Sequence, residues 1–349
     1  MTLVLRKFVF SALISMLLIA CSNNQQVHYD SENKSNLYSK IIRNFATDDG
    51  LLKTDLKGRE HEYLAESQGL LLEYFLQQNM RENFQLAMKA TENQLLLKNN
   101  TVSWQKINDE KSPTNALIDD LRIIEVLMAA SEKWEDSHAK KLANQLIEGN
   151  MKHTLNDGYL VNYSSNDENN RTDEINLSYV NKNQYDYFNF PKEQLEKQMK
   201  ILEETPFSKN GFYPLKFMIN DKTYTFEKKV HMVDQLLTAI NRAAVNPDDH
   251  GFYEQLKNRF NRDGKIFGMY HLKTGKPSVR YESPAVYSYA IQLARIHHDV
   301  DFENKLMQRL NALKNHHEDS PFYGTFIEES SKETHVFDNL MPLLIEEGN

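Results

Sequence analysis

Apolar residues recur at helical spacing in segments that come two by two, and this pairing restricts the fold more than any other feature of the chain. Residues 62–79 and 81–97 form the first strong pair, joined by a short polar link. Segments 115–134 and 137–150 repeat the layout, as do 283–298 and 301–316. Segments 229–246 and 250–261 are a further pair, separated at Asn246-Pro247. Amphipathic stretches at 35–45, 177–188, 192–204 and about 335–346 complete the helical set. Strand signal is sparse: 212–226 alternates weakly around Pro214, and 264–281 reads as a loop or second hairpin. Eleven or twelve helices in hairpins, with no fixed repeat period, predict an all-α domain closed as an (α/α)6 double ring with minor β excursions. In such a ring the N-terminal ends of the inner helices crowd one mouth.

The N-terminus has a separate logic. Arg6 and Lys7 precede an apolar run, Phe8 to Ala20, that is short for a membrane span. Leu18-Ile19-Ala20-Cys21 resembles a bacterial lipobox, and Cys21 is the only cysteine in the chain. The resemblance implies removal of residues 1–20 as a signal peptide and lipid on Cys21. An ordinary signal peptide or an uncleaved anchor are the alternatives. Residues 21–34 are polar and read as a flexible tether, leaving 35–349 as a single catalytic domain outside the cytoplasmic membrane. With 40% hydrophobic residues, this body can bury a core. Net charge is −8 and no basic block is present, so a nucleic-acid partner is excluded. The body is expected to be a monomer.

Three apolar helices begin with acids: Glu66, the pair Asp119 and Asp120, and Asp234. A helix N-terminus stabilises negative charge, so each acid can be explained without any chemistry. Gly69 weakens that reading for Glu66, because glycine inside a helix costs about 1 kcal/mol and calls for a close approach. Gathered carboxylates are also what glycoside hydrolysis needs: one acid protonates the leaving oxygen and another carboxylate activates water. Trp104, in the loop before the second acidic helix, is a candidate sugar platform, and Tyr185, Tyr187 and Tyr281 are candidate groove residues. Trp134 ends an apolar helix and reads as core. His231 falls three residues before Asp234 and can share its side. His297-His298 and His316-His317 are adjacent pairs that do not share a helix face, so no metal is expected, and no cofactor fingerprint occurs.

The chain resembles glycoside hydrolase family 8, inverting enzymes that include endoglucanases and chitosanases. The family's acid motif, Ser-Glu-Gly-Gln-Gly-Tyr-Gly, is matched by Ala65-Glu66-Ser67-Gln68-Gly69-Leu70-Leu71. Phe45-Ala46-Thr47-Asp48-Asp49-Gly50 is similar to the approach to that motif. The second motif runs from Ala116 through Asp120 to Trp134, with Ile118 where the family has its first aspartate and Asp119 beside it. Leu177-Ser178-Tyr179-Val180 and Ser283-Pro284-Ala285 are similar to later family segments. The resemblance implies Glu66 as general acid and Asp234 as general base. It implies sugar contacts from Gln68, Asp119 and Asp120, and endo-cleavage of a β-linked polysaccharide by inversion. A surface tether suggests the cell's own exopolysaccharide. The loss at Ile118 keeps open a degenerate member that only binds polysaccharide and assists its synthesis or export. A polysaccharide lyase on a similar ring is a third reading.

Overall fold

The structure, a computed structural model, describes residues 27–31, 36–165 and 170–348. The expected signal peptide, Cys21, and residues 22–26 and 32–34 of the expected tether lie outside the described residues. Among the described residues there are twelve α-helices: α1 (Asn36–Phe45), α2 (Ala65–Gln77), α3 (Arg81–Leu95), α4 (Leu117–Trp134), α5 (Ser137–His153), α6 (Lys182–Tyr185), α7 (Lys192–Glu203), α8 (Met232–Ala243), α9 (Gly251–Asp263), α10 (Pro284–Ile296), α11 (Val300–Asn311) and α12 (Phe337–Glu347). They form the (α/α)6 double ring. Its inner wall is α2, α4, the short α6 segment with its flanking 3-10 turns, α8, α10 and α12, each touching the next. The ring closes where α12 meets α2. Helices α3, α5 and α11 pack outside α2, α4 and α10, α7 lies against α8, and α1 lies against α12. Phe260 of α9 meets Phe302 of α11 edge to face, with ring centroids 5.5 Å apart.

Burial explains which helix goes where. Inner helices are covered on nearly every side, so α2 buries Leu70, Leu71, Leu72, Tyr74 and Phe75, with only the half-buried Glu73 between them. Outer helices bury one stripe, as α5 does with Ala139, Leu142, Ala143 and Leu146. The Asp136 side chain caps α5 by accepting the His138 and Ala139 N–H groups.

The structure moves several boundaries. Residues 62–64 are a strand paired antiparallel with Gln105–Ile107, so α2 starts at Ala65. Lys229–His231 pairs with Met269–His271, so α8 starts at Met232. The expected short helix over 177–188 is broken into a 3-10 turn at Leu177–Tyr179, α6, and a second 3-10 turn. The Asn181 side chain accepts the Gln184 N–H and starts a new turn there. The excursion near Pro214 is a three-stranded sheet of Glu174–Asn176, Lys216–Met218 and Thr223–Thr225.

The expected tether also shortens, because residues 27–31 are docked on the body. Tyr29 is 1% exposed, its hydroxyl donating to the Gly50 carbonyl at 2.5 Å and its ring resting on Phe75. Polar composition hid this anchor, since one buried aromatic ring offsets the ordering of a few polar residues.

Helix α5 passes so close to the Asn99–Asn100 turn that a Cβ on Gly149 would stand 2.0 Å from the Asn100 carbonyl oxygen. Glycine to alanine in a helix interior ordinarily stabilises by about 1 kcal/mol. Here the clash is with backbone, so Gly149→Ala should instead destabilise by about 1–3 kcal/mol. Thermal denaturation checks the sign: a melting temperature equal to or above that of the natural chain would refute this packing.

Candidate active site

The inner helices of the ring point their N-termini to one mouth, and most of them bring a polar or acidic side chain there. Glu66 lies in the first turn of α2, Asp119 in the first turn of α4, Asp234 in the first turn of α8 and Asp338 in the first turn of α12. The 3-10 turn Leu177–Tyr179 supplies Ser178 and Tyr179. Ser283 caps α10, with its hydroxyl accepting the Val286 N–H. Unpaired helix N–H groups make the mouth favourable for carboxylates, which is why acids can collect there at all.

The carboxylates are held, not loose. Ser178 Oγ donates to Asp234 at 3.1 Å, and the Ser178 carbonyl accepts from Asn241. Asp338 accepts from Ser283 Oγ at 2.6 Å and from the Ala285 N–H at 3.0 Å. Asp119 faces Arg122 at 3.4 Å. One oxygen of Glu66, Oε1, is buried without a hydrogen-bond partner. Tyr179 lies near enough to Asp119, Asp234 and Glu66 for each negative charge to raise its phenol further above the ordinary range, on top of burial. The phenol therefore marks where three helices' acids converge.

Burial pushes the Glu66 carboxyl up to about 8, helped by the negative charges of Asp119 and Asp338 and opposed by Arg122. Asp119 is pushed up to about 6 by burial, again against Arg122. Burial also raises Asp234 and Asp338, against their hydroxyl hydrogen bonds and the nearby charges of His231 and His335. Near neutral pH the mouth thus holds a protonated Glu66 beside Asp119, which ionises at lower pH, and such a split between neighbouring carboxyls is what acid–base catalysis needs.

Glu66, His231, Tyr281, Ser283, His335 and Asp338 line a mouth cavity of about 250 Å³. A larger cavity, about 770 Å³, opens at the other end of the ring between the C-terminal halves of the inner helices. Arg122 and Tyr289 line it, and both also act on Glu66, so they form a floor between the two. The larger cavity lacks the four mouth carboxylates, so volume alone does not mark the site. Among the described residues no group of three His, Cys, Asp or Glu could hold a metal ion, and no helix is long and apolar enough to cross a membrane.

The other candidate residues separate. Trp104 is 37% exposed, and its carbonyl accepts the Ala65 N–H at the very start of α2, which puts it on the mouth rim. Tyr281 is 54% exposed on the same rim. Its ring crosses Gly268, where a Cβ would stand 2.2 Å from Cε2. Gln68 is buried, donating to the Gly50 carbonyl at 3.1 Å, and so fixes the turn beside the mouth. Asp120 turns away from Asp119: its oxygens accept from the Val102 N–H at 2.8 Å and Asn115 Nδ2 at 2.7 Å within a buried polar knot. Tyr185 and Tyr187 are not groove residues. Tyr185 is 1% exposed between Phe188 and Phe190. Tyr187 feels the charges of Glu125 and Glu132, beyond the first turns of α4, at the end of the ring away from the mouth. The break in the 177–188 segment rotates both off the site. Trp134 packs edge to face on Phe84, as expected of a partly covered core residue.

Asp338, His335 and Tyr163 escaped the sequence analysis. Asp338 repeats the layout that singled out Glu66, an acid in the first turn of an apolar helix, so a signal was available. Tyr163 is 42% exposed in the loop whose Asn162 carbonyl accepts the Leu117 N–H at the start of α4. It sits in a polar loop with no periodicity to expose it.

No family model matches the chain. It is 31% identical over 311 residues, 88% of this chain and 84% of the relative, to a Bacillus subtilis (strain 168) protein named "Putative lipoprotein YdaJ". Among solved structures it is similar to a novel α-amylase from Clostridium perfringens, with TM-score 0.81 and 26% identity over 89% of this chain and 96% of that one. It also superposes on endoglucanase Cel10, a family 8 glycosyl hydrolase from Klebsiella pneumoniae, with TM-score 0.64 and 13% identity over 90% of this chain and all of that one.

The raised carboxyls have a consequence for stability. Folded Glu66 holds its proton more tightly than the unfolded residue does. Its contribution is therefore fully present below about 4.5 and is lost as pH rises through about 8. Asp119 and Asp120, pushed up to about 6 and about 7, act with the same sign. Glu66→Gln should leave the melting temperature little changed at pH 4.5 and raise it relative to the natural chain at pH 9. A constant difference across that range would count against a buried, proton-holding Glu66.

Proposed function

The chain belongs to the family of the Bacillus subtilis protein YdaJ and has the fold of glycoside hydrolase family 8, and on that premise we propose that it is a glycoside hydrolase anchored outside the cytoplasmic membrane by lipid on Cys21. The body is one catalytic unit that cleaves internal β-linkages of a polysaccharide made by the cell itself. The observation that carries this reading is the convergence of Glu66, Asp119, Asp234 and Asp338 at one mouth, with Glu66 pushed up to about 8.

In this mechanism Glu66 gives its proton to the glycosidic oxygen as the bond to the anomeric carbon breaks. Ionised Asp234 takes a proton from the water that attacks the opposite face of the sugar, so the new bond forms with inversion. Glu66 is left ionised and Asp234 protonated, and both return to their starting states through solvent. Ser178 and Tyr179 orient Asp234 and the reacting sugar. Asp119 and Asp338 hold sugar hydroxyls, which offsets the absence of a carboxylate at Ile118. Trp104, Tyr163 and Tyr281 give apolar faces on which sugar rings stack along the rim. Gln68 and Asp120 act from behind, as supports of the turn and loop beside the mouth.

A second reading concerns the linkage alone. The Clostridium perfringens protein is named an α-amylase, and at 26% identity it favours an α-linked glucan as the other polymer to test. The machinery described above serves either anomer, since inversion is set by the water's position and not by the starting configuration.

The test is release of reducing ends from a panel of defined β-linked glycans and an α-1,4-glucan by the purified protein. Glu66→Gln and Asp234→Asn should each lower turnover roughly 10²–10⁴-fold. Near-normal turnover in either variant would remove that residue from its role, and binding of glycan without any turnover would favour the degenerate, binding-only reading. The pH profile of kcat/KM should fall on the alkaline side near pH 8, where Glu66 loses its proton, and on the acid side where Asp234 gains one, above the usual carboxylate range.

A further inference from the structure

The direction in which residues 27–31 cross the body fixes which end of the ring lies nearest the lipid. The Val27 N–H donates to the Asp48 carbonyl at 2.7 Å. Tyr29 reaches the Gly50 carbonyl, and Asp30 is clasped by Asn83, whose side chain accepts the Asp30 N–H at 3.1 Å and donates to its carbonyl at 3.0 Å. Asn83 is in the first turn of α3. As an outer helix, α3 runs opposite to α2, so its first turn lies at the end of the ring away from the mouth. Val27, in contrast, sits on the 47–50 turn, and the same Gly50 carbonyl is held by Gln68, two residues after Glu66. A Cβ on Gly50 would touch Val27 Cγ1 at 3.1 Å. The segment therefore descends from the mouth end, and Val27, where the chain joins the body, is on the mouth side.

Only residues 22–26 separate Val27 from Cys21. Six chain steps span at most roughly 20 Å when fully extended. A compact body of this length is roughly 50 Å across, so the leash is shorter than the body it holds. A long flexible linker would average out orientation, but this one cannot.

We propose that the short leash holds the mouth toward the membrane, so that the glycan it takes is a chain still attached at the membrane surface and not polymer free in solution. This rests on the lipid-anchored hydrolase reading above. Its physical basis is effective concentration: a groove kept within a few nanometres of the bilayer meets membrane-held chains far more often than dilute ones. The larger cavity at the opposite end of the ring is correspondingly turned outward.

The test uses the full lipidated chain in phosphatidylglycerol/phosphatidylethanolamine vesicles with an acceptor dye in the headgroup layer. A donor fluorophore is placed on Asp109→Cys, in the exposed turn of the rim sheet, or on Glu132→Cys, on the exposed side of α4 toward its C-terminal end. Energy transfer should be clearly greater from position 109. A 20-residue Gly/Ser spacer inserted between Gln26 and Val27 should abolish the difference. Equal or reversed transfer without the spacer would overturn the orientation. In parallel, turnover is measured on a β-1,4-glucan oligosaccharide coupled to lipid in the vesicles and on the same oligosaccharide free in solution. The spacer should lower turnover of the vesicle-bound form several-fold and leave the free form unchanged. No change in the bound form would overturn the substrate assignment. Absence of turnover on both forms, with the transfer asymmetry intact, would count against the hydrolase reading and support the orientation.

Discussion

A single guanidinium inside the ring ties together the buried carboxyls of α2 and α4. Arg122 projects from α4 between Asp119 and Glu66 toward the mouth and Glu73 below, with Tyr289 across from it. Burying several carboxylates together is expensive, and one shared cation limits how many can ionise. The outcome is graded: burial pushes Glu66 to about 8, and Glu73 and Asp119 to about 6, with Arg122 opposing the rise in all three. Gly69 leaves room for that side chain: a Cβ there would stand 3.0 Å from Arg122 Cδ and 3.4 Å from Ile123 Cγ1, so the Arg122 stem lies directly on α2.

Ring closure turns that local arrangement into a site. With α12 against α2, the inner helices present their N-terminal ends together, and the first-turn acids of α2, α4, α8 and α12 become neighbours across hundreds of residues of chain. Helix N-terminal N–H groups offset the repulsion at this end only. The opposite end has more volume but presents carbonyl ends of helices, with Glu73 and Glu125 among its lining. The first-turn carboxylates Glu66, Asp119, Asp234 and Asp338 collect at the mouth and are absent from the lining of the larger cavity.

The rim is built separately from the ring. Short strands at 62–64 and 105–107 bring Trp104 beside the start of α2, and those at 229–231 and 269–271 bring Gly268 and Tyr281 beside the start of α8. These ribbons delay the two helices by three residues each and leave aromatic rings standing at their heads. A loop positioned by such ribbons can vary with the polymer while the acids below stay fixed on helices.

Much was legible in the sequence alone because it depends on local period and local chemistry. Helix pairing and the (α/α)6 ring follow from apolar spacing, and Glu66, Asp119, Asp120 and Asp234 are visible as acids at helix starts, while their assignment as acid and base came from the family resemblance. What remained hidden depends on rotation and on distance along the chain. Asp119 and Asp120 are adjacent, but about 100° of helix turn sends one to Arg122 and the other to the Val102 N–H and Asn115. Tyr185 and Tyr187 were misplaced because Asn181 restarts the turn before them, which no periodicity records. Asp338 had the right local pattern but gained meaning only when α12 closed against α2, and Val27 and Tyr29 carried no periodic signal at all. The sequence set which helices form and which faces they bury, because those are nearest-neighbour properties. Which acids meet, and where the chain joins the body, were decided only by closure of the ring, because closure is what brings residues 66, 119, 234 and 338 to one mouth.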